Sequence, residues 1–305
     1  MKNYLSIIGT SKIIEKHIYA AKKNKFKINS IISLNKNAHK NLSYIKNKFK
    51  IKKIYNDLDK FLIDAKNNKS SILIASRIID NEKVLNKVLK YDLKILIEKP
   101  VFLNLIKYKK FINHKKNIFI GYNRIYFKFV EYIKRLRNQE KIFFINITCP
   151  ETNKIDFLKN SCHSISIIHY IFGKLYFLKK ISNKKHFLII YRTKKNEIIY
   201  FNFELDSPKN FSIEFSLKNK ILLAKPIEQF FKIEKIKKKI IKKENFYFPV
   251  QKLIYDENKF DGKPGFVEQY KNFKLFLKNK KAKYLNIEDA KSIMEIANKV
   301  YSDVR

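Results

Sequence analysis

Lys99 closes a run that reads Ile95-Leu96-Ile97-Glu98-Lys99-Pro100, and an ammonium group placed there has chemistry to offer. A lysine partly withdrawn from water in a cleft can hold hydroxyl groups by hydrogen bonds and support the movement of a proton. Pro100 turns the chain away from helix just beyond it. Taken alone, in a chain this rich in lysine, the same residue reads as a surface lysine at a strand end. Upstream, Ile7-Ile8-Gly9-Thr10-Ser11-Lys12-Ile13-Ile14 has a glycine where a strand would turn into a helix, a shape whose backbone N–H groups can receive a phosphate. Ser11 and Ile14 occupy the places of a second and third glycine, so an ordinary strand-to-helix turn is the competing reading. A third candidate is His163, with Gly173 ten residues beyond it. Its imidazole is either a proton acceptor or a core histidine on a helix facing a sheet.

These residues need elements to position them. Short apolar runs alternate with helical patterns from Met1 to about Gly121, which is the rhythm of a parallel sheet with crossover helices. Strands are expected at 4–8, 28–34, 51–55, 71–75, 94–98 and 118–120, with helices at 11–22, 57–64 and 81–89 between them. This is a doubly wound Rossmann sheet of the dinucleotide-binding type, and Lys99 falls at its carboxyl edge, where a nicotinamide ring would lie. The expected cofactor contacts are Gly9, Thr10, Ser11, Ser33, Lys36, Ala75, Glu98, Lys99 and Pro100. Ser33-Leu34-Asn35-Lys36 offers no carboxylate to a ribose diol and a lysine that could meet a 2′-phosphate, so NADP is favoured over NAD.

Beyond Gly121 the rhythm changes to a helix at 127–137, a strand at 141–148, a helix at 161–171 and β-rich runs from Leu175 to Leu223. That pattern predicts an α+β domain on a mostly antiparallel sheet. Residues 1–121 and 122–305 are therefore expected to be two domains. A terminal helix over about 287–302, capped by Asn286, packs at the domain interface or back on the first domain. The lysine-rich stretch Lys232 to Lys243 reads as a solvated helix or loop.

The formal charge of +40 raises the question of nucleic acid. Arginine, the residue that reads nucleic acid best, occurs only at Arg77, Arg124, Arg135, Arg137, Arg192 and Arg305, and the lysines are spread along the whole chain. With few glycines and prolines and no tryptophan, the composition resembles translation of an AT-rich genome, and the charge is expected on solvated faces. No run approaches the roughly 18 uncharged apolar residues of a membrane span. Met1 to Gly9 reads as a first strand and not as a signal peptide, so a cytoplasmic location is expected. Cys149 and Cys162 lack metal-ligand or disulfide spacing, and no metal site is expected.

The glycine turn, Glu98-Lys99-Pro100, Gly121-Tyr122-Asn123-Arg124, His163 with Phe172-Gly173, Lys263-Pro264-Gly265-Phe266 and the terminal Glu288-Asp289-Ala290 helix follow one another in an order that resembles the Gfo/Idh/MocA oxidoreductases, the family of glucose-fructose oxidoreductase and inositol dehydrogenase. The resemblance implies hydride transfer between NAD(P) and a sugar-like substrate, with Lys99 beside the nicotinamide and His163 taking a hydroxyl proton. It implies that Tyr122, Asn123 and Arg124 line the substrate cleft, with Arg124 bracing the domain junction as the alternative, and that Lys159 lies near the substrate. Homodimers or homotetramers through the open face of the second sheet are implied too. His17 matches a common family residue, although helix packing accounts for it. Lys159, Ser166 and Asn81 depart from the pattern, standing where aspartate, aspartate and histidine are common. They leave two readings, a subgroup with different substrate contacts or a chain that binds a ligand or partner without catalysis. The context of His163 and the Lys-Pro-Gly-Phe segment resemble members associated with nucleotide-sugar or surface-polysaccharide synthesis.

Overall fold

Strands buried along their whole length must be covered on both faces, and Ser71–Ile74, Ile95–Ile97 and Ile118–Ile120, three of the six strands of the first sheet, are of this kind. The computed structural model of the protein describes residues 3–259 and 262–302, with Lys36 and His39 by their backbone alone, so the phosphate contact expected of the Lys36 side chain lies outside what is described. The first sheet comprises β1 (Asn3–Ile8), β2 (Phe26–Ile32), β3 (Lys53–Tyr55), β4 (Ser71–Ile74), β5 (Ile95–Ile97) and β6 (Ile118–Ile120). Its order is β3-β2-β1-β4-β5-β6, and every pair is parallel. Strand order reverses between β1 and β4, the place where dinucleotides bind in sheets of this kind.

Helices α1 (Ile13–Lys23), α2 (His39–Phe49), α3 (Leu58–Asn67) and α4 (Asn81–Leu89) follow the first four strands, and a short α5 (Leu105–Lys109) follows β5. In α4 the buried residues Asn81, Val84, Leu85 and Val88 recur at the helical period and form one apolar stripe with an amide at its head. Two helices from the end of the chain, α9 (Phe266–Leu277) and most of α10 (Ile287–Asn298), join this unit, which is made of the residues up to Asn123 together with Gly265–Met294. Asn286 caps α10: its side-chain carbonyl accepts from the N–H of Asp289 at 3.2 Å while the Asp289 carboxylate accepts the N–H of Asn286 at 2.9 Å.

The second unit comprises Arg124–Pro264 and the segment from Glu295 on. It contains α6 (Lys128–Leu136), β7 (Ile142–Glu151), α7 (Lys154–Asp156), α8 (Cys162–Phe172), β8 (Leu175–Ser182), β9 (His186–Thr193), β10 (Ile198–Leu205), β11 (Ser212–Leu217), β12 (Ile221–Ala224), β13 (Gln229–Ile241) and β14 (Glu244–Asp256). The eight strands run in the order β14-β13-β12-β11-β7-β10-β9-β8, with β7 and β10 parallel and every other pair antiparallel. Burial alternates along β9, β10 and β11, so one face is covered and the other is open. Phe157 and Phe172 close the covered face, with their rings 5.2 Å from Phe203 and 6.4 Å from Phe215. Cys149 is buried there, and burial pushes its thiol up to about 12.

Two expectations are corrected in this unit. Lys232 to Lys243 is neither helix nor loop but the greater part of β13 and its turn, paired with β14 from Gln229↔Asp256 to Ile241↔Glu244 with register shifts after Phe230 and Ile233. Isoleucines between the lysines suit a strand, and Lys242 and Lys243, both at positive φ (49° and 67°), make the two-residue turn. The helix expected to begin at Ser161 is already formed at α7, where the Asn153 side chain caps it at Asp156 N–H, 3.1 Å away, and it runs on through a π turn, Phe157–Ser161, into α8. Among the described residues no helix is long and apolar enough to cross a membrane.

Candidate functional site

Gly9 stands at φ +130° at the end of β1, where its N–H donates to Ile32 O at 2.9 Å. A Cβ on Gly9 would lie 2.3 Å from Ala75 O, so only glycine lets β1 and β4 come this close at the point where strand order reverses. A cleft of about 370 Å³ opens above it, lined by Gly9, Thr10 and Ser11, by the loop Ser33–Asn35 and by Ala75, Ser76, Arg77 and Asp80. Ser11, exposed at the start of α1, faces this cleft, whereas Ile14 is wholly buried in the core. The loop after β2 satisfies itself, since Ser33 Oγ accepts Asn35 N–H at 3.3 Å and Asn35 Oδ1 accepts Asn37 N–H at 3.0 Å. The carboxylate that lines the cleft is that of Asp80, held by Arg77 Nε at 2.9 Å.

At the end of β5, Glu98 is fixed from two sides. Gly121 leaves it room, because a Cβ there would lie 2.9 Å from Glu98 Oε1. His17 of α1, fully buried, places Nε2 3.0 Å from the same oxygen and Nδ1 3.1 Å from the hydroxyl of Tyr270 on α9. A carboxylate can only accept, so Nε2 carries a proton and donates it to Glu98. Burial, and the charge of Glu98, raise Tyr270 well above the usual phenol range. His17 therefore does more than pack: it ties the first crossover helix to the residue before Lys99. His17→Leu leaves the Glu98 carboxylate and the Tyr270 hydroxyl without that partner, and chemical denaturation should show a loss of about 2–3 kcal/mol; a variant as stable as the wild type would sever the network from the fold.

Asn81 performs a similar tie. Its amide accepts Ser76 O–H at 3.0 Å and donates to Val101 O at 2.9 Å, joining the end of β4 to the chain just after Pro100. Lys99 itself is half-buried, and the peptide to Pro100, which is buried, is cis. Tyr122 and Asn123 are buried in the same unit.

The remaining candidates lie in the second unit. Arg124 pairs with Glu228 at 2.9 Å; burial pulls its guanidinium below the usual range and Glu228 opposes that pull. Within this unit it ties the approach to α6 to the turn between β12 and β13. Lys159 lies 3.5 Å from Asp156, so the cation at a place where the family pattern has an acid is itself beside a carboxylate one helical turn away. His163 is half-buried on the first turn of α8, directly after the π turn, and its carbonyl accepts Ser166 O–H at 2.7 Å. Helices interrupted in this way are frequent at functional sites.

Residues 4–117 match the family model described as the Gfo/Idh/MocA oxidoreductase family, NAD-binding Rossmann fold. The matched segment runs from β1 through β5 of the parallel sheet. The whole chain is similar in fold to a dehydrogenase from Clostridium difficile, at 15% identity and a TM-score of 0.77 over 99% of both chains. It is similar also to an oxidoreductase from Agrobacterium radiobacter in complex with NAD+, L-tartaric acid and magnesium, at 11% identity and 0.72 over 99% of this chain and 96% of that one. A third likeness is to the UDP-N-acetylglucosamine 3-dehydrogenase of Acidithiobacillus ferrooxidans, at 9% identity and 0.71 over 98% of this chain and 97% of that one. No curated protein matches the sequence. A dinucleotide fits the first unit on its own geometry: the turn at Gly9, packed against Ala75 without room for a Cβ, brings the cleft to the N-terminal end of α1, where a phosphate is favoured.

Proposed function

We propose that the protein is an NAD(P)-dependent oxidoreductase that moves a hydride between nicotinamide and a carbon bearing a hydroxyl in a sugar, a sugar derivative or a nucleotide sugar. The observation that carries the reading is the Gly9 turn at the reversal point of a sheet whose sequence matches an NAD-binding family. Gly9, Thr10 and Ser11 hold the pyrophosphate against α1. Ser33 lies on the adenosine side with Lys36 four residues beyond β2, and Ala75 and Pro100 shape the walls. Bound there, the nicotinamide supplies the hydride acceptor or donor. Lys99, set by Glu98, hydrogen-bonds the substrate oxygen, and His163 takes the hydroxyl proton as the hydride leaves. Tyr122, Asn123, Arg124 and Lys159 are assigned to the substrate. With no carboxylate on the loop after β2, and with Arg77 in the cleft, NADP is favoured over NAD. A sugar-like substrate agrees with the nucleotide-sugar dehydrogenase among the solved structures of this fold.

The purified protein should shift NADPH fluorescence at lower concentrations than it shifts NADH fluorescence, and failure to bind either would remove the proposal. Binding without turnover on a panel of sugars and nucleotide sugars would select the second reading, a non-catalytic ligand-binding member. The ion pair of Lys159 with Asp156 favours that reading, because it occupies the place of a catalytic carboxylate.

The open face of the second sheet supports self-association. Ile198, Phe144, Ser216, Ile221 and Ile233 form one row across five strands, and Phe144 is 47% exposed. Light scattering should give a dimer or tetramer that Phe144→Glu with Ile221→Glu converts to monomer; a monomeric wild type would exclude this interface.

A further inference from the structure

At the end of the parallel sheet away from the Gly9 turn, the chain forms a second, larger cleft of about 800 Å³. It lies where β1, β4 and β5 begin and α3, α4 and α9 end. Its walls carry Lys66, Lys69, Lys90, Lys94 and Lys278, with Asp92 as the acid among them. Lys94 is engaged, donating to Lys116 O at 2.7 Å, and Asp92 accepts from the Asn117 amide at 2.8 Å. The other four ammonium groups have no ion-pair partner among the described residues. Ends of helices account for some of this charge, for each carries about half a negative charge. Three such ends and Asp92 still leave about half of the lysine charge uncompensated.

Lysines alone, in a chain this basic, would be a solvated face. The floor of the cleft distinguishes this place: Ser70 lines it, is 3% exposed, and its Oγ has no hydrogen-bond partner among the described residues. A buried hydroxyl without a partner destabilises the fold that holds it, and a charged oxygen from outside is the acceptor that would relieve it. We propose that this cleft binds the phosphate group of a small molecule, with Ser70 donating to a phosphate oxygen and Lys66, Lys69, Lys90 and Lys278 balancing its charge. The site is independent of the redox reading, since none of its residues lines the Gly9 cleft.

Calorimetric titration with inorganic pyrophosphate at low salt tests it. The wild type should take up one pyrophosphate per chain more than a Lys66→Gln, Lys69→Gln, Lys90→Gln variant, whatever binds at the Gly9 turn. Ser70→Ala should weaken that site about tenfold. The same variant should melt no lower than the wild type without pyrophosphate, because the hydroxyl it removes bonds to nothing in the fold; a lower melting temperature would mark Ser70 as structural and overturn the assignment. Isotherms of wild type and triple-lysine variant that superimpose, or a wild type that takes up none, would overturn it equally.

Discussion

Gly9→Ala is expected to destabilise the first unit by about 3 kcal/mol and to weaken NADPH binding at least about 100-fold. The added methyl would meet Ala75 O at 2.3 Å and Ala75 C at 2.8 Å. Both are backbone atoms of the residue that follows β4, so no side-chain rotation can make room. The φ of +130° adds a second penalty, for alanine avoids that region. Relief requires β1 and β4 to part, and they are joined there by the Ala75 N–H to Ile8 O hydrogen bond of 2.9 Å. Parting them moves the start of α1 away from the pyrophosphate it is proposed to hold. Ser11→Gly is the companion change: it leaves the fold intact, lets the phosphate come nearer the backbone, and should tighten NADPH. Denaturant melts and fluorescence titrations separate the two effects. A Gly9→Ala protein with wild-type stability would refute the packing argument, and one that is destabilised yet binds normally would refute the cofactor assignment.

How far the sequence could be read depended on where each signal had its partner. Ile72 to Ile74 and Ile95 to Ile97 are apolar on both faces and bounded by polar turns, so their strands needed no tertiary information. Asn81–Leu89 was legible to the residue because its stripe of burial is self-contained. The β13–β14 hairpin was not, since a Lys242-Lys243 turn lacks the Asn or Gly that ordinarily announces positive φ, and lysine is common enough here to mask the alternation beneath it. The same division holds at the site. Gly9 declares itself by type, whereas the roles of His17 and Asn81 depend on Tyr270 and Val101, 253 and 20 residues further on. A buried polar residue whose partners are that distant in sequence looks like helix packing until coordinates pair it.

Lys99→Met is expected to lower turnover by about 10²–10⁴-fold and to weaken NADPH binding far less than that. Methionine keeps the length and apolar stem of the side chain, so the half-buried stretch between Glu98 and Pro100 keeps its packing and its hydrogen bonds through His17. What is lost is the ammonium, which in the proposed reaction holds the substrate oxygen while its hydroxyl gives up a proton. His163→Asn should bring a loss of similar size by removing the acceptor of that proton. The two side chains belong to different units of the chain, so their joint action is best measured by a cycle. If both serve one proton transfer, the double variant falls little further than the worse single variant; if they act separately, the losses multiply. Multiplying losses would assign the two residues to different steps, and a Lys99→Met enzyme as fast as the wild type would take the lysine out of the chemistry altogether.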